Sequence, residues 1–210
     1  MQADAVELRV LGCLIEKQRT TPEVYPLSLN ALRLACNQST NRDPVVDYDE
    51  STVRAALDRL SQKGWVRLAS GPGSRAAKFR HLFDGAMRVS DEEISLLAVL
   101  MIRGPQTPGE LKQRTQRLHP FADLAELEAS LQGLIERELA ERLPRQPGQK
   151  EQRYRHLLEE EAVRRAAPEA EEQEQEPDRI ESLERDLREL RNEVAALRAE
   201  IASRRGGPLE

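Results

Sequence analysis

Arg67, Arg75, Lys78 and Arg80 lie on a strand–turn–strand stretch, and Arg54 and Arg59 lie on the helical stretch before it. Six cations at this spacing suit ionic hydrogen bonding to phosphate oxygens. Ser51, Thr52 and Gln62 fall on the same helical face as Arg54 and Arg59 and add neutral polar groups. In a helix-turn-helix with a β-ribbon, the third helix enters the DNA major groove and the ribbon touches the adjacent backbone. The turn Gly71-Pro72-Gly73-Ser74 would let that ribbon approach closely. Asp58 stands among these groups, so an ordinary solvated face is the competing reading.

Catalytic patterns are missing. Of the three histidines, His81 and His156 occupy equivalent places in a repeat and His119 precedes Pro120, which points to roles in the fold. No Gly-rich phosphate loop, nucleophile motif or metal-ligand spacing occurs, so no catalytic residue, metal or cofactor is expected. Cys13 and Cys36 both fall in helical patterns and are expected to be reduced and buried. Around the second helical pattern, Asn30, Asn37, Gln38, Asn41 and Arg42 gather near Thr21-Pro22 and Tyr25-Pro26. Two roles fit them: loops whose amides cap helix ends, which turn chemistry favours, or a polar surface beside the third helix.

Charge is divided along the 210 residues. Residues 1–89 carry thirteen Lys and Arg against ten Asp and Glu, a net of +3; residues 90–158 carry −1 and residues 159–210 carry −7, giving the total of −5. The local field of the first segment is therefore basic despite the acidic total. No apolar run approaches the ~18 residues of a membrane span, and the opening Met1-Gln2-Ala3-Asp4 lacks a leader's basic start. A cytoplasmic protein without membrane contact is expected.

Helices must place those cations. Val6, Leu8, Val10, Leu11, Leu14 and Ile15 form one apolar helix face, and Ser28–Ala35 gives a second helix. Asp49 caps a third, whose Val53, Ala56, Leu57 and Leu60 share a side and which Gly64 closes. Alternation from Trp65 to Ser70 and from Ala77 to Phe83 then predicts a hairpin. The same unit returns at an offset of 74: Asp49, Val53, Leu57, Leu60 and Trp65 meet Asp123, Leu127, Leu131, Leu134 and Leu139. Slipped by one more residue, Lys78–Phe83 meets Arg153–Leu158. In the second copy, Ser90 and Glu93 make a capping box, Thr107-Pro108 opens a short helix through Leu111, and a hairpin turns at Pro147-Gly148. Its third helix would present Glu126, Glu128 and Glu136, which repel phosphate; its hairpin keeps Arg142, Arg145, Lys150, Arg153 and Arg155, which suit a backbone contact, while packing on the first unit or binding protein is the favoured role.

After Leu158 comes an acidic linker, residues 159–177, and then heptads within 178–205. Ile180, Leu187, Val194 and Ile201 take the a positions and Leu183, Leu190 and Leu197 the d positions. In a parallel pair, Arg179 meets Glu184, Asp186 meets Arg191 and Glu193 meets Arg198, all opposite in sign. A homodimer through a parallel coiled coil is expected; one amphipathic helix folded back on its own domains is the alternative.

Several blocks resemble the bacterial YceH family: Leu8-Arg9-Val10-Leu11-Gly12-Cys13-Leu14-Ile15-Glu16-Lys17, Tyr25-Pro26-Leu27-Ser28-Leu29-Asn30-Ala31-Leu32, Ala35-Cys36-Asn37-Gln38 and Asn41-Arg42-Asp43-Pro44-Val45. With the repeat, the resemblance spans roughly residues 4–158. It implies two winged-helix domains and no particular activity. The expected fold is mostly α with small β wings: winged helix-turn-helix domains at 1–89 and 90–158, then a coiled-coil helix. Two functions are compatible: a dimeric DNA-binding regulator that uses the first domain on double-stranded DNA, or a non-catalytic scaffold presenting paired winged helices to a protein partner.

Overall fold

The computed structural model describes residues 2–70, 76–145 and 151–159. The turn carrying Arg75 and the heptads from Ile180 to Ile201 lie outside the described residues.

Helix α1, Ala5–Thr20, starts at a capping box in which Asp4 and Glu7 exchange side-chain-to-backbone hydrogen bonds. Nine consecutive residues of it, Glu7 to Ile15, are buried. A helix buried on every side must lie between other elements, and α1 does. A short 3-10 turn at Pro22–Val24 leads to strand β1, Leu27–Ser28, and then to α2, Leu29–Cys36, capped by Ser28. Helix α3, Glu50–Gln62, is capped by Asp49 and buries Val53, Ala56, Leu57 and Leu60. Strands β2, Val66–Leu68, and β3, Lys78–His81, follow, and β3 lies between β1 and β2 in an antiparallel sheet.

Helix α4, Phe83–Met87, joins this unit to the next. Helix α5, Asp91–Arg103, starts at the Ser90/Glu93 capping box and buries Ile94 to Ile102 without a break. Helices α6, Pro108–Thr115, and α7, Leu124–Glu136, and the antiparallel pair β4, Ala140–Arg142, and β5, Tyr154–His156, complete the described chain. The architecture is mixed α with small antiparallel sheets.

Sequence periodicity found the long helices, and it missed three features. Strand β1 is two residues long, too short to alternate. Helix α4 is five residues and holds Gly85. Helix α6 runs past Leu111 to Thr115 through Lys112, Gln113 and Arg114, which carry no apolar period.

The repeat extends to individual hydrogen bonds. The amide of Trp65 donates to Leu60 O at 2.9 Å, and that of Leu139 to Leu134 O at 2.9 Å. Leu82 N–H donates to Trp65 O at 2.7 Å where Leu157 N–H donates to Leu139 O at 2.9 Å; Ala69 N–H reaches Lys78 O at 2.8 Å where Leu143 N–H reaches Arg153 O at 2.8 Å. Trp65 and Leu139 are both buried. Even the left-handed residue ending each third helix recurs, Gly64 at φ 73° and Glu138 at φ 55°. In the second unit the counterpart of β1 is a single bridge, Gln106 to Tyr154.

The two units share a core, because α1 and α5 cross at close range. Gly12 faces Ile102 and Met101: a Cβ there would stand 2.6 Å from Ile102 Cγ2 and 3.1 Å from Met101 Cβ. Such separations leave no room for a side chain. A second clasp joins the ends, with Ala3 N–H donating to Leu158 O at 2.8 Å.

Leucine is a far better helix former than glycine, yet Gly12→Leu must overpack this crossing. It is expected to lower the unfolding free energy by about 2–3 kcal/mol in urea titration. A variant as stable as the parent would show that the crossing has room.

Candidate nucleic-acid interface

Helix α3 turns Arg54, Ala55, Asp58 and Gln62 to solvent, with Ser51 exposed and Thr52 half-buried at its start. Arg54 forms no ion pair or hydrogen bond among the described residues. Arg59, expected on the same face, is instead bound to α1. Its Nη2 meets Asp4 Oδ2 at 2.7 Å and its Nε stands 3.6 Å from Glu7 Oε1. Lys63 Nζ contacts both Glu7 oxygens, at 2.7 and 2.8 Å. Glu7 is 1% exposed, and a buried carboxylate needs such partners. Arg59 is thus engaged in holding α3 against α1.

The approach to α3 is acidic. Asp43, Asp47, Asp49 and Glu50 precede or open the helix, all exposed. Asp49 accepts from Thr52 N–H at 2.7 Å and from the Ser51 hydroxyl at 2.8 Å, so one of the predicted polar readers already has an internal partner. The backbone bond from Thr52 and the neighbouring hydroxyls hold the Asp49 carboxyl down to about 2, which keeps it charged. Asp58, the acidic residue among the expected readers, is thus one of five exposed carboxylates on or just before α3.

The hairpin is different. In register, Arg67 stands opposite Arg80, Leu68 opposite Phe79, Val66 opposite His81 and Lys78 opposite Ser28. Strand alternation therefore sets Arg67, Lys78 and Arg80 on one face, while the face with Val66, Phe79 and His81 meets the core. None of the three cations forms an ion pair among the described residues, and the half-buried Arg80 has an Nε without a hydrogen-bond partner. Like charges directly opposite across a ladder are destabilising.

The second unit supplies the comparison. At the positions of Arg67 and Arg80 it carries Glu141 and Arg155, also in register, and Arg155 Nε hydrogen-bonds to Glu141 Oε1. Beside them, the Arg142 guanidinium lies 5.6 Å from the Tyr154 ring centre. On α7 the counterparts of Arg54 and Gln62 are Glu128 and Glu136, both exposed. On the matched face, the second hairpin pairs its cations, Arg155 with Glu141 and Arg153 with Glu110, where the first leaves them facing each other; the second hairpin also carries Arg142 and Arg145.

The amide-rich loop proves to be internal framework. Asn37 Nδ2 donates to Tyr48 O at 2.8 Å and Asn37 Oδ1 accepts from Tyr48 N–H at 2.9 Å. Buried Arg42 pairs with Glu16 at 2.5 Å and donates to Ala35 O and Gln38 Oε1; buried Arg9 donates to Cys36 O, Asp43 O and Pro44 O. Both guanidiniums satisfy carbonyls that leave α2 for α3. Cys13 and Cys36 are free and buried between them, and the Cys13 thiol alongside, with burial, pushes the Cys36 thiol well above its ordinary value.

His81 lies at the base of the hairpin. Its ring bonds Gln18 Oε1 through Nε2, and its backbone N–H donates to the Tyr25 hydroxyl at 2.8 Å. Among the described residues, no group of three or more His, Cys, Asp or Glu is placed to hold a metal ion, and no helix is long and apolar enough to cross a membrane.

The model of a family described as "Protein of unknown function, DUF480" matches residues 3–149. A UPF0502 protein of Pelobacter propionicus is 49% identical over 209 residues, covering 95% of this chain and 95% of its own. One from Geobacter metallireducens is 52% identical over 170 residues, 80% of this chain and 74% of its own, and one from Pectobacterium carotovorum is 44% identical over 209 residues, 94% and 99%.

Burial pushes His81 down to about 4, so between pH 6.5 and 4 the unfolded chain takes up a proton that the folded chain refuses. Stability is expected to fall as pH drops through that window, with His81 contributing on the order of 1–2 kcal/mol by pH 5. Urea midpoints at pH 7 and pH 5 measure this. Burial holds His156 down to about 4 as well, so His81→Gln should reduce the difference by the His81 share and leave that of His156, and an unaltered pH dependence in that variant would refute the assignment.

Proposed function

The chain belongs to the DUF480 family of UPF0502 proteins, and from its own first unit we propose that it is a dimeric DNA-binding protein of the cytoplasm. The reading is carried by one observation: Arg67, Lys78 and Arg80 share a sheet face and have no acidic partner among the described residues. A phosphate backbone supplies the missing counter-charge, and counterion release makes the association favourable.

The order α1, β1, α2, α3, β2, β3 supports a winged-helix reading of the first unit, with β2–β3 as the wing. The second unit repeats the order with Gln106 in place of β1. The ion pairs on its hairpin face and its acidic α7 favour a protein-facing role for that half, which retains the scaffold reading there. The heptads from Ile180 to Ile201 support pairing two chains, and two cationic wings per dimer would raise affinity through avidity.

Titration of a fluorescent 20-base-pair duplex at several salt concentrations tests the proposal. Arg67→Ala with Arg80→Ala should lower the slope of log K against log salt by about two units, and Arg117→Ala on the second unit should not change it. In sedimentation velocity the full chain should be a dimer and a chain ending at Pro177 should shift to monomer. A wild-type chain that leaves the duplex free at low salt would contradict DNA binding.

A further inference from the structure

The structure assigns the contact to the wing rather than to the third helix. Resting on the DNA reading above, we infer that this protein grips the phosphate backbone without reading bases, and that the Arg67–Arg80 pair is its anchor.

Base readout in the major groove needs side chains at the front of a helix that are free to make bidentate bonds: Arg or Lys to guanine, Asn or Gln to adenine. On α3, Arg59 is ion-paired with Asp4 and the Ser51 hydroxyl is bonded to Asp49. Asp47, Asp49 and Glu50 crowd the end of α3 that would enter the groove first, and Asp58 follows one turn beyond Arg54. A helix edged in this way meets phosphates unfavourably before any base is in reach.

The wing face has the opposite character. Arg67 and Arg80 are directly opposed, and Lys78 stands two residues along from Arg80, about 7 Å at strand rise. That spacing is comparable to the separation of neighbouring phosphates on one strand. The second unit shows that this backbone does not require the repulsion, since Glu141 and Arg155 occupy the same two positions as a bonded pair. A like-charge pair standing where an ion pair fits equally well leaves its charge for an external anion such as a phosphate to neutralise.

The test is Arg67→Glu in the full chain, which installs the second unit's arrangement in the first. Thermal unfolding should rise by about 1–4 °C, because a repulsive cross-strand pair becomes attractive. Affinity for a 20-base-pair duplex should fall about tenfold or more at 0.1 M salt, with Arg67→Gln intermediate. The wild-type chain should bind AT-rich, GC-rich and mixed duplexes within about threefold of one another, unlike the much larger ratios of base-reading proteins. Sequence preference beyond tenfold that Arg54→Ala removes would overturn the inference and leave DNA binding standing. An Arg67→Glu chain that is less stable and binds duplex as well as its parent would also overturn it, making the pair structural. No wild-type binding to any of the three duplexes would remove the DNA reading itself.

Discussion

The crossing of α1 and α5 at Gly12 is the constraint on which the rest depends. With a Cβ at that position only 2.6 Å from Ile102 Cγ2, the two helices can lie at this distance only if residue 12 has no side chain. Glycine costs about 1 kcal/mol relative to alanine inside a helix, and close packing along the buried middle stretches of the two helices offsets it. Both helices become interior elements of a single core, and the two repeats cease to be separate bodies. α1 then serves as the surface on which α3 is fixed. Glu7, buried by that arrangement, draws Arg59 and Lys63 onto itself, and so removes from α3 the arginine that its sequence seemed to offer.

Much of this was legible along the chain. The 74-residue offset between Asp49 and Asp123, and between Trp65 and Leu139, translates into hydrogen bonds at matched positions, because caps and strand starts are local consequences of residue type. What was not legible depends on partners distant in sequence. Nothing around Arg59 marks its bond to Asp4, 55 residues away. Gly12 in a helical pattern reads as a weakness until α5 is placed against it. The loop amides followed turn chemistry, and their partners proved internal as that chemistry suggests. The face of the hairpin was foreseeable from alternation, but the opposition of Arg67 to Arg80 required the register.

Duplication lets charge be compared at constant backbone. Ladder, caps and helix ends are shared, so the exchange of Arg67–Arg80 for Glu141–Arg155 stands apart from requirements of folding. The net charge of −5 says little about such a surface, since a ligand meets the field of one face, and the first 89 residues carry +3. The same comparison separates the two halves in charge: facing cations on the hairpin and an acidic approach to α3 in one, an ion-paired hairpin face beside an acidic α7 in the other.

Hydrogen–deuterium exchange of the full chain, with and without a saturating 20-base-pair duplex at low salt, tests the assignment of the interface most directly. Peptides covering β2 and β3, residues 66–81, should exchange more slowly in the complex, while those covering α7 and the β4–β5 pair, residues 124–156, should be unaltered. Protection centred on α7, or a bound duplex that leaves residues 66–81 unprotected, would contradict it.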